Sequence, residues 1–218
     1  MVIDNIKLIY YESCIDEETS NTSFIKLPGF RCEEIKELVS IDIKKYKIKK
    51  IPVNVFELAN KLGIKLVKYS QLTEYEVNKL ESLGISRNSD GFFALVNKNG
   101  MDIPFIYYND RKNDERIRFT ILHEIGHFVL GHLEQSDLAE AEANFFAKYL
   151  IAPPVLVNKI NPTDYMDIAN IFNVSKDCAW YAFDYYKKWL RHYIRIGSNY
   201  TDYEKTILTV CSLEMPEF

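Results

Sequence analysis

The apolar residues follow two different spacings along the chain, which predicts a mixture of helices and strands. Over residues 52–62 the apolar positions recur every three to four residues and stop at Gly63, which suits a helix ending at a glycine cap. The same spacing predicts a helix over residues 73–83, which Gly84 ends. Between them, residues 64–69 have the apolar and β-branched character of a short strand.

A hairpin is predicted in the middle of the chain. Two β-rich runs, residues 91–96 and 103–108, flank Asn97-Lys98-Asn99-Gly100, a sequence typical of a tight turn between antiparallel strands. We therefore expect a small antiparallel sheet. The second strand could also present an edge to a substrate bound as an extended strand.

The rest of the chain is predicted to be mainly helical. A helix over residues 114–130 can be capped by Asn113 or Asp114 and is followed by Gly131. Ser136 or Asp137 can cap the next helix, which stops before Pro153-Pro154. That helix is expected to run through residues 139–150. Further helices are expected from about Cys32, over residues 164–172 and over residues 176–194. Residues 1–29 are expected to be irregular or weakly paired, and the final twenty residues are ambiguous. The fold class is therefore α+β.

Composition and charge narrow the function classes. The 218 residues are 47% hydrophobic with a net charge of -4, which is typical of a globular protein and argues against DNA as a partner. The lysines between Lys44 and Lys50 alternate with apolar residues, so a solvated amphipathic segment is expected there. Scattered cysteines, no signal-like N-terminus and no long apolar run predict a cytoplasmic protein without a membrane segment.

The helix over residues 114–130 carries the sequence His123-Glu124-Ile125-Gly126-His127. Residues four apart lie on the same helix face, so His123 and His127 can share one Zn²⁺ ion. Glu124 then lies beside the ion without binding it and can act as the general base of peptide hydrolysis. Three of the four histidines lie between positions 123 and 132. The alternative is a helix that buries two hydrogen-bonded core histidines.

A catalytic zinc ion needs a third protein ligand. On a continuous helix His132 would point about 140° away from His127, so we exclude it. Glu140 and Asn144 share one face of the next helix, which makes Glu140 the expected ligand and Asn144 a residue that can orient a ligating histidine. Glu142 would face the opposite way, towards solvent.

The sequence resembles the ImmA/IrrE family of metallopeptidases over residues 51–190. The similarity rests on several separate motifs: IPVNVFELANKLGIKLV from Ile51, Asp90-Gly91-Phe92, RIRFTILHEIGH from Arg116 with His132 beyond it, EAEANFFA from Glu140, and Leu150-Ile151-Ala152-Pro153. The resemblance implies a zincin-like core in which His123, His127 and Glu140 bind one zinc ion. It also implies a helix-turn-helix-like segment that begins near Asp167.

Members of this family act on, or beside, helix-turn-helix repressors, so the resemblance implies an intracellular zinc endopeptidase with a regulatory protein as substrate and a part in transcription regulation. The alternative is a regulatory binding protein that engages a repressor or DNA and has a non-catalytic zinc site. The chain is expected to divide into a lead-in and helix of unknown role at residues 1–50, a metallopeptidase core at residues 51–155 and a helical region at residues 156–218.

Overall fold

The computed structural model describes residues 6–7 and 25–213, so most of the predicted lead-in lies outside the described residues. The helices and strands follow one another as β1 (Ile6–Lys7), α1 (Gly29–Lys45), β2 (Lys50–Ile51), α2 (Val55–Lys61), β3 (Lys65–Lys68), α3 (Glu74–Ser82), β4 (Gly91–Lys98), β5 (Met101–Tyr108), α4 (Asp114–Leu130), α5 (Asp137–Ile151), α6 (Pro154–Ile160), α7 (Tyr165–Phe172), α8 (Lys176–Arg195), α9 (Asp202–Val210) and β6 (Ser212–Leu213). The predicted α+β class is confirmed.

The described residues divide into two compact units. The first contains β1 and Val55–Asn144, and the second contains Pro28–Asn54 and residues 145–213, so the chain passes from one to the other within α5. Within the described ranges, no helix combines the length and the apolar character needed to span a membrane.

The first unit is built on a four-stranded sheet with the strand order β1-β4-β5-β3. The predicted hairpin is present as β4 and β5, and its turn residues Asn99 and Gly100 both have left-handed backbone angles, with φ of 54° and 80°. β3 pairs with β5 in parallel, so the sheet is mixed rather than wholly antiparallel.

The pairing of β5 contradicts the idea that this strand offers a free edge along its whole length. Residues Phe105–Tyr108 are bonded to β4 on one side and to β3 on the other. The apolar pattern identified the strand, but it could not show that β3 would cover this edge.

Helices cover both faces of the sheet. On one face, Phe92 and Tyr107 form a buried cluster with Leu80 of α3. On the other face, Phe93 packs against Phe128 of α4 with ring centroids 5.7 Å apart. Alternate residues of β4 therefore point to opposite faces of the sheet, and α4 packs on one of these faces.

The second unit is mainly helical. α1 packs against α9, and β2 pairs in parallel with β6. α7 packs against α8, and a short turn connects them, in which Asn173 has a left-handed φ of 50°. This arrangement agrees with the predicted helix-turn-helix-like segment. In the lysine run, Ile43 and Ile48 are buried and Lys44 and Lys49 are exposed, as predicted.

Candidate metal centre

The local sequence fixes both ends of α4. Asn113 caps its first turn, since the side-chain oxygen accepts a hydrogen bond from the Arg116 backbone N–H at 2.9 Å. Gly131 ends the helix with a left-handed φ of 69°, a conformation that suits glycine. Both ends agree with the predicted helix.

Charged side chains join the first turn of α4 to the sheet. Arg116 Nε donates to the Asp90 carboxylate at 2.8 Å, and Lys112 Nζ lies 3.2 Å from the same carboxylate. The backbone carbonyl of Asp90, just before β4, accepts a hydrogen bond from Asn109, just after β5. Asp90 is buried, so this cluster fixes where α4 begins relative to the hairpin.

His123 and His127 point the same ring nitrogen towards one carboxylate. Both imidazoles are fully buried, and their Nε2 atoms are 3.0 Å apart. Glu140, in the first turn of α5, places Oε2 at 3.3 Å from His123 Nε2 and Oε1 at 3.3 Å from His127 Nε2. One possible ligand atom from each residue lies within 4.8 Å of the other two.

This group fits a tetrahedral metal ion. Bonds of about 2.0 Å from a zinc ion place neighbouring ligand atoms roughly 3.3 Å apart. The Nε2 atoms of His123 and His127 are 3.0 Å apart, and each lies 3.3 Å from a different oxygen of the Glu140 carboxylate, which is close to that value. Two imidazoles and one carboxylate can thus hold a metal ion and leave a fourth position open.

The charges of the group are adjusted by its burial. Burial acts to raise the pKa of Glu140, but its contacts with the imidazoles of His123 and His127 outweigh this and lower the pKa to about 2. Burial lowers the pKa of His127 to about 4, so this imidazole is neutral near pH 7, as a metal ligand must be. Burial also acts to lower the pKa of His123, but Glu140, Glu124 and Asn144 raise it overall.

The structure brings the other predicted site residues to the same place. Glu124 is fully buried, and its charge acts on the His123 imidazole. Asn144, one turn after Glu140 on α5, acts to raise the pKa of His123 and is one of the weaker influences on it. Both act on His123, and their roles stay predictions.

The prediction for Glu142 is wrong. Its side chain is only 8% exposed, and Glu142 Oε2 lies 3.0 Å from His132 Nε2. His132 Nδ1 in turn lies 2.9 Å from His127 Nδ1. The predicted direction of His132 assumes a continuous helix, but α4 ends at Leu130 and the left-handed Gly131 turns the chain back. That glycine was the signal that the helical angle no longer applied.

The mixed sheet, the covering helices and the HExxH group define a zincin-like metallopeptidase site. The chain belongs to the family of the IrrE N-terminal-like domain, Peptidase_M78, whose family model matches residues 60–183. A search of curated proteins gives no match. The predicted ImmA/IrrE resemblance is therefore confirmed, and membership of a peptidase family implies a protein substrate.

Proposed function

We propose that this protein is a zinc-dependent endopeptidase that cleaves a regulatory protein. The observation that carries the proposal is the convergence of His123, His127 and Glu140 on one point, with Glu124 buried next to them. A pair of ordinary core histidines would need only separate hydrogen-bond partners. Here both Nε2 atoms and the carboxylate face one common point, which is what binding of a single ion requires.

Zinc is the metal that this ligand set favours. Imidazole nitrogens together with a single carboxylate suit Zn²⁺, whereas Mg²⁺ and Ca²⁺ prefer sites built from oxygen atoms. When bound, a zinc ion supplies a Lewis acid that polarises the scissile carbonyl and lowers the pKa of water. We assign one ion to His123, His127 and Glu140, and we assign Asn144 to holding His123 in position.

Glu124 supplies the proton transfer that hydrolysis needs. Its carboxylate accepts a proton from the attacking water while the water oxygen bonds to the carbonyl carbon. It then donates that proton to the amide nitrogen as the C–N bond breaks. Burial beside His123 keeps Glu124 close to the reacting atoms, so the same group can take and return the proton.

A helix-turn-helix transcriptional repressor is the substrate that the family resemblance supports. Incubation of the zinc-loaded protein with a panel of purified repressors, followed by mass spectrometry, should give two fragments separated at one internal bond. Chelator-treated protein is the control and should leave the same repressor intact. A panel left uncleaved, while an unrelated flexible polypeptide is cut, would contradict the repressor assignment and retain the endopeptidase.

One observation favours the second candidate, a regulatory binding protein. Trp180 on α8 is 61% exposed, and a large exposed aromatic side chain is typical of a surface that binds a partner. Such a protein would bind a repressor stably and leave it intact. The same incubation separates the two functions, because stable capture without cleavage by zinc-loaded protein would favour the binding role.

A further inference from the structure

His127, His132 and Glu142 form a continuous chain of side chains behind the metal-binding group. The two Nδ1 atoms of His127 and His132 are 2.9 Å apart, and His132 Nε2 is 3.0 Å from Glu142 Oε2. The side chains of His132 and Glu142 are 10% and 8% exposed, and His127 is fully buried. The chain therefore begins on α5, passes through the loop after α4 and ends on α4.

The chemistry of these groups gives the chain one direction. An ionised carboxylate can only accept, so Glu142 requires a proton on His132 Nε2. When His132 is the neutral imidazole with its proton on Nε2, its Nδ1 accepts a hydrogen bond from the Nδ1–H of His127. His127 is then protonated on Nδ1, and its Nε2 presents a lone pair towards His123 and Glu140. That is the tautomer a metal ligand needs.

We propose that His132 and Glu142 are positioning residues that hold His127 in the metal-binding tautomer and ring orientation. This inference rests on the proposed metal site and adds a role for two residues outside the ligand set. An outer group that accepts the second N–H of a ligating histidine fixes the tautomer and makes the ligand more basic. The His132–Glu142 pair places a negative charge at the far end of this arrangement.

The surroundings of the pair allow it to be tested by substitution. His132 and Glu142 line a groove of about 430 Å³ at the surface of the first unit. Shortening either side chain enlarges an existing groove instead of opening an enclosed cavity, so the variants should fold. His132→Leu removes the chain of hydrogen bonds. His132→Gln keeps it, because one amide can accept from His127 and donate to Glu142.

Zinc affinity gives the first readout, measured by competition with a chromophoric chelator on metal-free protein. His132→Leu and Glu142→Leu should bind zinc about 10- to 100-fold more weakly than the wild type, and His132→Gln should stay within about threefold. Glu134→Leu, at an exposed position in the same loop, is the matched control and should leave affinity unchanged. Equal affinity in all the variants would overturn the inference.

The tautomer of His127 gives a second readout that needs no metal. Side-chain nitrogen NMR of the metal-free wild type should show His127 protonated on Nδ1, and His132→Leu should move the proton partly to Nε2. A wild-type protein already protonated on Nε2 would overturn the inference. If the wild type showed the expected tautomer but bound no zinc, the proposed metal site would fail and the hydrogen-bond chain would stand.

Discussion

Glu140 and Glu142 contact different partners, although they are only two positions apart on α5. Residues two positions apart on a helix point about 200° away from each other, so Glu140 and Glu142 cannot contact the same partner. Glu140 meets the HExxH histidines, as helix geometry predicted, and Glu142 meets His132. The second contact could not be predicted, because helix geometry gives a direction but does not show which loop covers that side.

Replacement of Glu140 tests the ligand assignment. Glu140→Gln removes the charged ligand oxygen and should weaken zinc binding by more than about 100-fold, beyond the effect usual for an outer residue. Glu134→Gln is the matched control, since it removes a carboxylate at an exposed site. Zinc content after dialysis against a weak chelator measures the difference. Full occupancy in Glu140→Gln would exclude Glu140 as a ligand.

Gly91 of β4 lies close to both β5 and α4. A Cβ atom built on it would lie 2.6 Å from the Tyr107 carbonyl oxygen and 2.7 Å from Thr120 Cγ2. Gly91→Ala should therefore lower the free energy of unfolding by about 1–3 kcal/mol, because the β5 backbone and the Thr120 side chain of α4 must both move away from the added methyl group. Urea denaturation measures the loss.

Gly29→Ala provides the control for this change. Gly29 is exposed at the start of α1 and has no atom within 4 Å of an added Cβ. This substitution should alter stability by less than about 0.5 kcal/mol. Similar small effects at both glycines would show that the contact between β4 and α4 is looser than described.

At the scale of elements, the sequence predicted those helix ends that are set by local cap residues. The ends of α4, α7 and α8 follow from the cap residues Asn113, Asp164 and Ser175, whose side chains accept backbone hydrogen bonds. The sequence pattern does not predict α6, because Pro153-Pro154 ends one helix, whereas Pro154 also begins the next. α9 was also missed, although Thr201 and Glu204 form a capping box.

Helix α1 contains a partly buried carboxylate, Asp42, whose ionised form destabilises the folded state at neutral pH. Burial raises the pKa of Asp42 to about 6, and the nearby Lys45 offsets this only in part. The folded state holds the proton more tightly than the unfolded state, so the stability from Asp42 is present below pH 3.8 and is lost as the pH rises through 6. Asp42→Asn should remove this loss.

The expected gain for Asp42→Asn is about 1–2 kcal/mol at pH 8, after allowance for the partial exposure of the group. The gain should shrink towards zero as the pH falls to about 4. Thermal unfolding at the two pH values measures it, and Glu37→Gln, an exposed change on the same helix, is the control. A gain that did not depend on pH would refute the explanation.

At the scale of the whole molecule, the units differ from the predicted segments in being discontinuous. The second unit joins β2 to β6 and α1 to α9, so residues near position 50 pair with residues near position 212. Patterns of local spacing cannot show such pairing, because neither β2 nor β6 is long enough to have a recognisable period. The predicted boundaries at residues 50 and 155 stay a prediction.

Zinc should stabilise the folded chain by mass action. A ligand that binds only the folded state adds about 2.7 kcal/mol when its free concentration is 100 times the Kd. Scanning calorimetry should therefore show a higher Tm for the metal-free protein after zinc is added. Magnesium is the control ion and should cause no shift, because it prefers oxygen ligands. Equal shifts with both ions would contradict a specific zinc site.

The central claim is that Glu124 performs proton transfer beside a metal held by three other residues. Zinc content and substrate cleavage, measured together on the wild type and Glu124→Gln, test it most directly. We predict that Glu124→Gln retains one zinc ion per chain and loses cleavage by a factor of about 10² or more. Cleavage by the zinc-loaded variant at the wild-type rate would contradict the mechanism.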